Sequence, residues 1–293
     1  MKEQIMKKSN LPEKIMKWLF TICGFLSIVF VIIIITAFLF GSGVPAIGKI
    51  GIKEFIFGTT WSSTAADPKY GILPFILSSV YGTFGAILIG VPFGVLCAVF
   101  LAKYSKSKAA SVCTAVIDLM SGIPSVVYGL VGMIIIVPTV REVFSLPDGA
   151  NLFSAIIVLA VMILPSVISV SQTAIKAVPH EYEEASLALG ATKTETTFKV
   201  LLPAAKSGIL TSVILGIGRA LGEAMAVMMV AGNVANMPSL FKSVRFLTTA
   251  VASEMSYSSG LQRQALFSIA LVLFIFILII NMILNFVVKR ERK

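Results

Sequence analysis

Two ionisable side chains, Arg219 and Glu223, stand near the middle of an apolar stretch that runs from residue 208 to residue 231. A charge at bilayer depth costs on the order of 3 kcal/mol even on the lenient insertion scale, and such residues usually face a bundle interior or an aqueous path. On a continuous helix their i, i+4 spacing sets them about 40° apart on one face, within pairing reach. Ser212, Gly216, Ala226 and Asn233 fall on the same stripe, while Leu215, Val227 and Met228 point elsewhere. The stripe is small or polar throughout, as the wall of a path for a polar solute would be. Arginine is the natural ligand of a tetrahedral oxyanion because it offers a planar fork of donors. A neighbouring carboxylate accepts a hydrogen bond from a protonated phosphate oxygen and repels a fully ionised anion. The expected substrate-path residues are therefore Arg219, Glu223, Ser212 and Asn233. The competing reading is an intrahelical ion pair that neutralises itself; against it, a membrane helix is more stable with neither charge.

A second polar block, residues 179–203, lies between two very apolar segments. Pro179 suits the first turn of a helix, where its missing N–H has no partner to lose. Glu181, Glu183 and Glu184 then place negative charge at the positive end of the helix dipole. Gly190 can take the left-handed conformation that ends a helix and reverses the chain. Thr192 and Glu195 have capping-box spacing for a second short helix, which Pro203 closes. The product is a helix–turn–helix knob on the membrane surface, shaped to sit in a partner's groove.

These two groups need a membrane scaffold. The chain has 293 residues, 57% hydrophobic and only 13% charged, a balance that excludes a water-soluble domain of this size. About 20 apolar residues cross a bilayer core, and six spans are expected, at 18–40, 71–101, 114–138, 152–175, 208–231 and 264–288. The first is too long for a signal-peptide core and lacks a small-x-small cleavage site, so it is expected to be a retained anchor. The formal charge of +10 does not indicate nucleic acid, because of its distribution. With the N-terminus in the cytoplasm, the two tails and the second and fourth links carry sixteen Lys and Arg against seven in the outer links. That excess satisfies the positive-inside rule with both termini cytoplasmic and sets the 179–203 knob on the cytoplasmic side.

The chain accordingly divides into a basic cytoplasmic tail (1–17), apposed to anionic lipid; a first span with its outer link (18–70); a membrane domain (71–288); and a short cytoplasmic tail (289–293). The outer link has glycines at 41, 43, 48 and 51 as breakers, and Trp61 suits the membrane–water boundary. In the second outer segment, 232–263, Asn233, Asn236 and Pro238 act as breakers and Phe246–Met255 forms a short surface helix. Pro92, Pro124 and Pro165 interrupt three spans and would kink each. Gly90–Gly94 and Gly218–Gly222 are GxxxG pairs that permit close helix approach.

Enzyme chemistry lacks its parts. Lys193-Thr194 has no glycine where a phosphate-binding loop requires two, and neither HExxH nor GxSxG occurs. Cys23, Cys97 and Cys113 form no CxxC or Cys/His cluster, so neither a metal nor another cofactor is expected. The single histidine, His180, has no Cys or Ser partner nearby for a nucleophilic role. ATP hydrolysis, if the protein depends on it, takes place on another polypeptide.

The knob residues carry a resemblance. Glu184, Ala185, Gly190, Val200, Leu202 and Pro203 fall on the spacing EAA-x3-G-x9-I-x-LP, with Val for Ile and Ser186 for the third Ala. That spacing resembles the "EAA" loop by which ABC importer permeases dock on their ATPase. Residues 218–233, Gly-Arg-Ala-Leu-Gly-Glu-Ala-Met-Ala-Val-Met-Met-Val-Ala-Gly-Asn, and 121–129, Ser-Gly-Ile-Pro-Ser-Val-Val-Tyr-Gly, resemble the C-type permease family of phosphate-specific ABC importers (PstC-like). The likeness runs over most of 71–288. It implies an all-α, polytopic, six-span membrane protein of the type I importer permease (MetI-like) fold. It also implies a heterodimer with an A-type permease, two ATPase subunits, an extracytoplasmic phosphate-binding protein, phosphate as the substrate and the inner membrane as location. Arg219 and Glu223 correspond to residues regarded as functionally important in that family. Glu184, Ala185, Gly190, Leu202 and Pro203 are the implied ATPase-coupling residues. A permease for sulfate, molybdate or another oxyanion is the nearer alternative. An ion-coupled secondary transporter is the more distant one, since it would leave the knob without a purpose and the chain has no evident internal repeat.

Overall fold

The computed structural model describes residues 11–103 and 107–291. Lys2, Lys7, Lys8, Lys106, Arg292 and Lys293, counted above among the basic residues, lie outside them. Five helices are long and apolar enough to cross a membrane, and the bent pair Lys193–Ala204 and Lys206–Gly222 makes a sixth when taken as one span. In chain order the elements are α1 (Leu11–Ile50), α2 (Ile52–Phe57), a short antiparallel hairpin of β1 (Trp61–Ser62) and β2 (Lys69–Tyr70), and α3 (Leu73–Lys103). There follow α4 (Lys108–Gly122), then α5 (Ser125–Val131), a π turn (Gly132–Ile136) and α6 (Val137–Val143), which form one span, and α7 (Leu152–Lys176). The knob comprises α8 (His180–Ala188), α9 (Lys193–Glu195), a π turn (Thr196–Leu201) and α10 (Leu202–Ala204). The chain closes with α11 (Lys206–Gly222), α12 (Met225–Val230), α13 (Leu247–Glu254) and α14 (Gly260–Glu291).

α7 is the central post, with 61% of its most apolar window buried, and α3 packs along it. The approach is close because α3 presents glycines at the seam. A Cβ at Gly90 would stand 2.8 Å from Ile163 of α7, and one at Gly94 would stand 2.7 Å from Val167. The expected Gly90–Gly94 pair thus has a packing purpose. A Cβ at Gly218 or Gly222 would meet nothing within 4 Å among the described residues, so this pair has no such seam. Three apolar clusters stack along the bundle: one at the knob end around Leu101, Ile117, Ile168 and Ile175, one in the middle around Leu159, Met162 and Val227, and one at the far end around Phe55, Phe75 and Leu266.

The structure shifts several expected boundaries. α1 begins at Leu11 and continues through Pro45 to Ile50, so Gly41, Gly43 and Gly48 are helical and only Gly51, at φ 92°, ends it. The reason is contact: Gly43 lies against α14, where a Cβ would meet backbone at 3.0 Å, and its carbonyl accepts the Ser268 hydroxyl at 2.6 Å. Of the three prolines, Pro92 and Pro165 sit inside unbroken helices, whereas Pro124 separates α4 from α5. The third crossing is therefore Ser125–Val143 instead of 114–138. Trp61 is buried in the far-end cluster, edge-on to Tyr70 at 5.5 Å. The helix expected near Phe246–Met255 is α13, but Leu247, Thr248, Thr249 and Ala250 are buried, so it is an interior element.

Candidate functional site

The expected charged stripe depends on an unbroken helix from 208 to 231, and the chain breaks it. α11 ends at Gly222, and Glu223 is extended at φ −73°, ψ 126°. Its carboxylate accepts the Ala226 N–H at 2.9 Å, satisfying a donor in the first turn of α12. Its carbonyl accepts the Thr248 hydroxyl of α13 at 2.7 Å. Glu223 is thereby turned away, and Arg219 and Glu223 form no ion pair; their helical neighbourhood ends one residue before Glu223.

Arg219, in the last turn of α11, is half-buried. Among the described residues its one side-chain hydrogen bond runs from Nη1 to Ser166 Oγ on α7, at 3.4 Å. Tyr128 of α5 lies within electrostatic range of the guanidinium, and its hydroxyl donates to the Met120 carbonyl at 2.6 Å, across the Pro124 break. α7 and α11 thus meet at a cation with no carboxylate bound to it, and Tyr128 of α5 lies within its field. Ser212, two turns earlier on α11, is fully buried in the α7 seam, where its hydroxyl shares a 2.8 Å hydrogen bond with Ser171 and donates to the Ile209 carbonyl. Gly216 packs there as well, against Val167. Asn233 lies beyond α12 in a left-handed conformation (φ 59°) and donates to the Met228 carbonyl at 2.6 Å; its Oδ1 is buried without a partner. The structure therefore disperses the four expected path residues, leaving Arg219 at the convergence, Glu223 at the hinge, Ser212 in a packed seam and Asn233 at the far end.

The knob keeps the expected local design. Gly190 has φ 86° with open space around it, so the turn itself is what requires glycine. Thr192 and Glu195 form a reciprocal capping box. The Thr192 backbone N–H, helped by Lys199 and the Thr192 hydroxyl, holds the Glu195 carboxyl down to about 2. Pro179 is the residue before α8 instead of the first within it. Ser186, the departure from the EAA pattern, is buried and shares a 2.9 Å hydrogen bond with Thr196, joining the two arms of the knob. Lys103 at the end of α3 pairs with Glu183 at 2.7 Å and ties the knob to the bundle. Glu184, Ala185 and Gly190 are exposed, and Leu189 at the tip is 90% exposed. Leu202 and Pro203 form the base, beyond which the chain bends by 69° into α11.

A polar network at the far end escaped the sequence reading. Glu254 of α13 pairs with Arg245, and it accepts hydrogen bonds from Trp61 Nε1 at 3.3 Å, Ser63 Oγ at 3.4 Å and Gln262 Nε2 at 3.1 Å. Arg245 also donates Nε to the Asn233 carbonyl at 2.8 Å and lies 5.8 Å from the centre of the Phe75 ring. Arg245 and Glu254 each draw their partners from three separate stretches of sequence, so no local spacing signals them.

Comparison with known proteins places these features. The family model for "binding-protein-dependent transport system inner membrane component" matches residues 90–293. A probable ABC transporter permease protein YqgH of Bacillus subtilis is 40% identical over 256 residues, 84% of this chain and 83% of that protein. The phosphate transport system permease protein PstC of Pasteurella multocida is 32% identical, covering 89% of this chain and 86% of its own. A probable PstC of Methanocaldococcus jannaschii is 32% identical, covering 91% of each. Among solved structures, an inward-facing MetNI methionine ABC transporter matches 75% of this chain and 94% of its own with a TM-score of 0.57 at 21% identity. A bacterial alginate ABC transporter covers 97% and 98% with a TM-score of 0.64 at 16% identity.

Proposed function

From the premise that this chain belongs to the family of binding-protein-dependent transport system inner membrane components, we propose that it is the phosphate-importing permease of an ATP-driven transporter. The relatives named for phosphate transport, similar over most of the chain, support phosphate over sulfate or molybdate. The observation that carries the chemical reading is Arg219, a half-buried guanidinium where α11 meets α7, whose nearest acidic neighbour in sequence is engaged elsewhere. An oxyanion crossing the bundle meets this cation at membrane depth, where few other groups offset its lost hydration. Glu223 sets the hinge that leaves Arg219 accessible, Ser212 locks α11 to α7, and Asn233 shapes the far mouth of the path.

Coupling is assigned to the knob. Glu184, Ala185, Leu189 and Gly190 enter a groove of a separate ATPase on the cytoplasmic side, while Leu202 and Pro203 pass the motion into α11 across the bend. A second permease subunit, two ATPase subunits and an extracytoplasmic phosphate-binding protein complete the assembly, with both termini of this chain in the cytoplasm. The domain limits follow, with 71–288 as permease domain and 179–203 as its coupling loop.

The experiment is ATP-dependent phosphate uptake by the reconstituted assembly. Gly190→Val forces a β-branched residue to positive φ, a local strain of about 1–3 kcal/mol, and is expected to uncouple hydrolysis from uptake; normal uptake at matched expression would remove the knob from coupling. Cysteines placed at Lys193 and Thr64 are expected to react with impermeant reagents from the cytoplasmic and outer sides respectively. The reverse pattern would separate the knob from any cytoplasmic ATPase.

A further inference from the structure

We propose that the Ser166 hydroxyl is a second ligand of the passing oxyanion, acting beside Arg219; this rests on the reading of Arg219 as the anion's cation. Ser166 and Arg219 hold donors that the described residues leave uncommitted. Hydroxyls on these helices commonly return their proton to a carbonyl four residues back, as Thr173 does to Ser169 at 2.9 Å and Thr211 to Ser207 at 2.8 Å. Ser166, which follows the buried Pro165, does not. Among the described residues its sole hydrogen bond is the one in which Oγ accepts from Arg219 at 3.4 Å, so its proton is uncommitted.

No described group takes that proton. The Glu223 carboxylate accepts from Ala226, and the Tyr128 hydroxyl directs its proton to Met120. The guanidinium carries five N–H donors and uses one on Ser166. Where α7 meets α11, the Ser166 O–H and most of the guanidinium N–H groups thus have no acceptor among the described residues, and a tetrahedral oxyanion supplies acceptors. Ser212 provides the contrast, since its hydroxyl is already shared between Ser171 and Ile209 and has nothing to offer a solute. With the anion present, Arg219 turns to it and Ser166 donates to the same anion.

The test is uptake of inorganic phosphate by the reconstituted assembly, together with thiol labelling. Ser166→Ala is expected to lower phosphate transported per ATP about ten-fold, the low end for a hydrogen bond to a charged group, and Ser166→Thr to keep roughly half or more, since it restores the donor. In Ser166→Cys, the rate of modification by a small methanethiosulfonate, read at residue 166 by peptide mass spectrometry, is expected to fall in millimolar phosphate but not in equal chloride. A residue that only props Arg219 would not give that protection. Unchanged uptake in Ser166→Ala alongside lost uptake in Arg219→Gln overturns this proposal alone, as does labelling indifferent to phosphate. Full uptake in Arg219→Gln overturns the Arg219 reading and this proposal with it.

Discussion

The protein deploys the same two residue types in opposite ways at two places. At the far end, Arg245 and Glu254 face each other, and every strong valence of the carboxylate is filled, by a guanidinium, an indole, a hydroxyl and an amide. In the middle of the bundle, Arg219 and Glu223 are only four residues apart and do not meet; the carboxylate caps a helix and the cation keeps most of its donors unspent. A charge pair satisfied from all sides is structure, because removing one partner strands the other. A charge held half-buried with spare donors is poised for something that comes and goes. Proximity in sequence misleads here, and the partner count separates the two uses.

The comparison can be broken most forcefully at Arg219. Arg219→Gln is expected to reduce phosphate uptake roughly a hundred-fold, at two charge-assisted hydrogen bonds of about 1.5–3 kcal/mol each, with unchanged assembly and melting. The double change Arg219→Gln/Glu223→Gln should recover nothing, since the two side chains do not support each other; recovery of uptake would show that they pair during the cycle.

At the far end the pattern should invert. Arg245→Gln leaves Glu254 short of its cation in a largely enclosed site and is expected to destabilise the folded chain by about 3 kcal/mol, read as a lowered melting midpoint in detergent. Arg245→Gln/Glu254→Gln should regain part of that loss. If the single change left melting intact but abolished uptake, the Arg245 pair would belong with Arg219, and the distinction would fail. The smallest effect is expected at the link between the two places: Thr248→Val, which removes the hydroxyl donated to the Glu223 carbonyl, should cost about 1 kcal/mol and slow uptake modestly. An effect as large as that of Arg219→Gln would mean the hinge, and not the cation, limits transport.

What could be read from the sequence was what sequence neighbours decide among themselves. The capping box of Thr192 with Glu195 and the left-handed Gly190 involve groups at most a few residues apart, and both stand in the structure as their spacing foretold. The apolar runs located the crossings because hydrophobicity adds up locally. Pro124 carried its meaning less clearly: three prolines looked alike, and only the neighbouring packing decides that one divides two helices while Pro92 and Pro165 lie within theirs. The stripe through Arg219 failed at Glu223 because periodicity assumes a continuous helix, and a carboxylate three residues before a free N–H can end one. Ser166 was invisible for another reason: a serine in an apolar helix usually bonds its own backbone, and only the fold brings it to Arg219. Arg245 and Glu254 needed Trp61 and Gln262 from distant stretches to make sense.

The helix α13, buried along its first half, connects these two places. Its last residue, Glu254, is clamped into the far-end network, and the Thr248 hydroxyl in its first turn holds the carbonyl of Glu223, four residues from Arg219. A helix of eight residues is about 12 Å long, so one short rod spans the distance between the two places. Any load on the clamped end would reach the hinge through that rod, with the Thr248 hydrogen bond as its coupling pin.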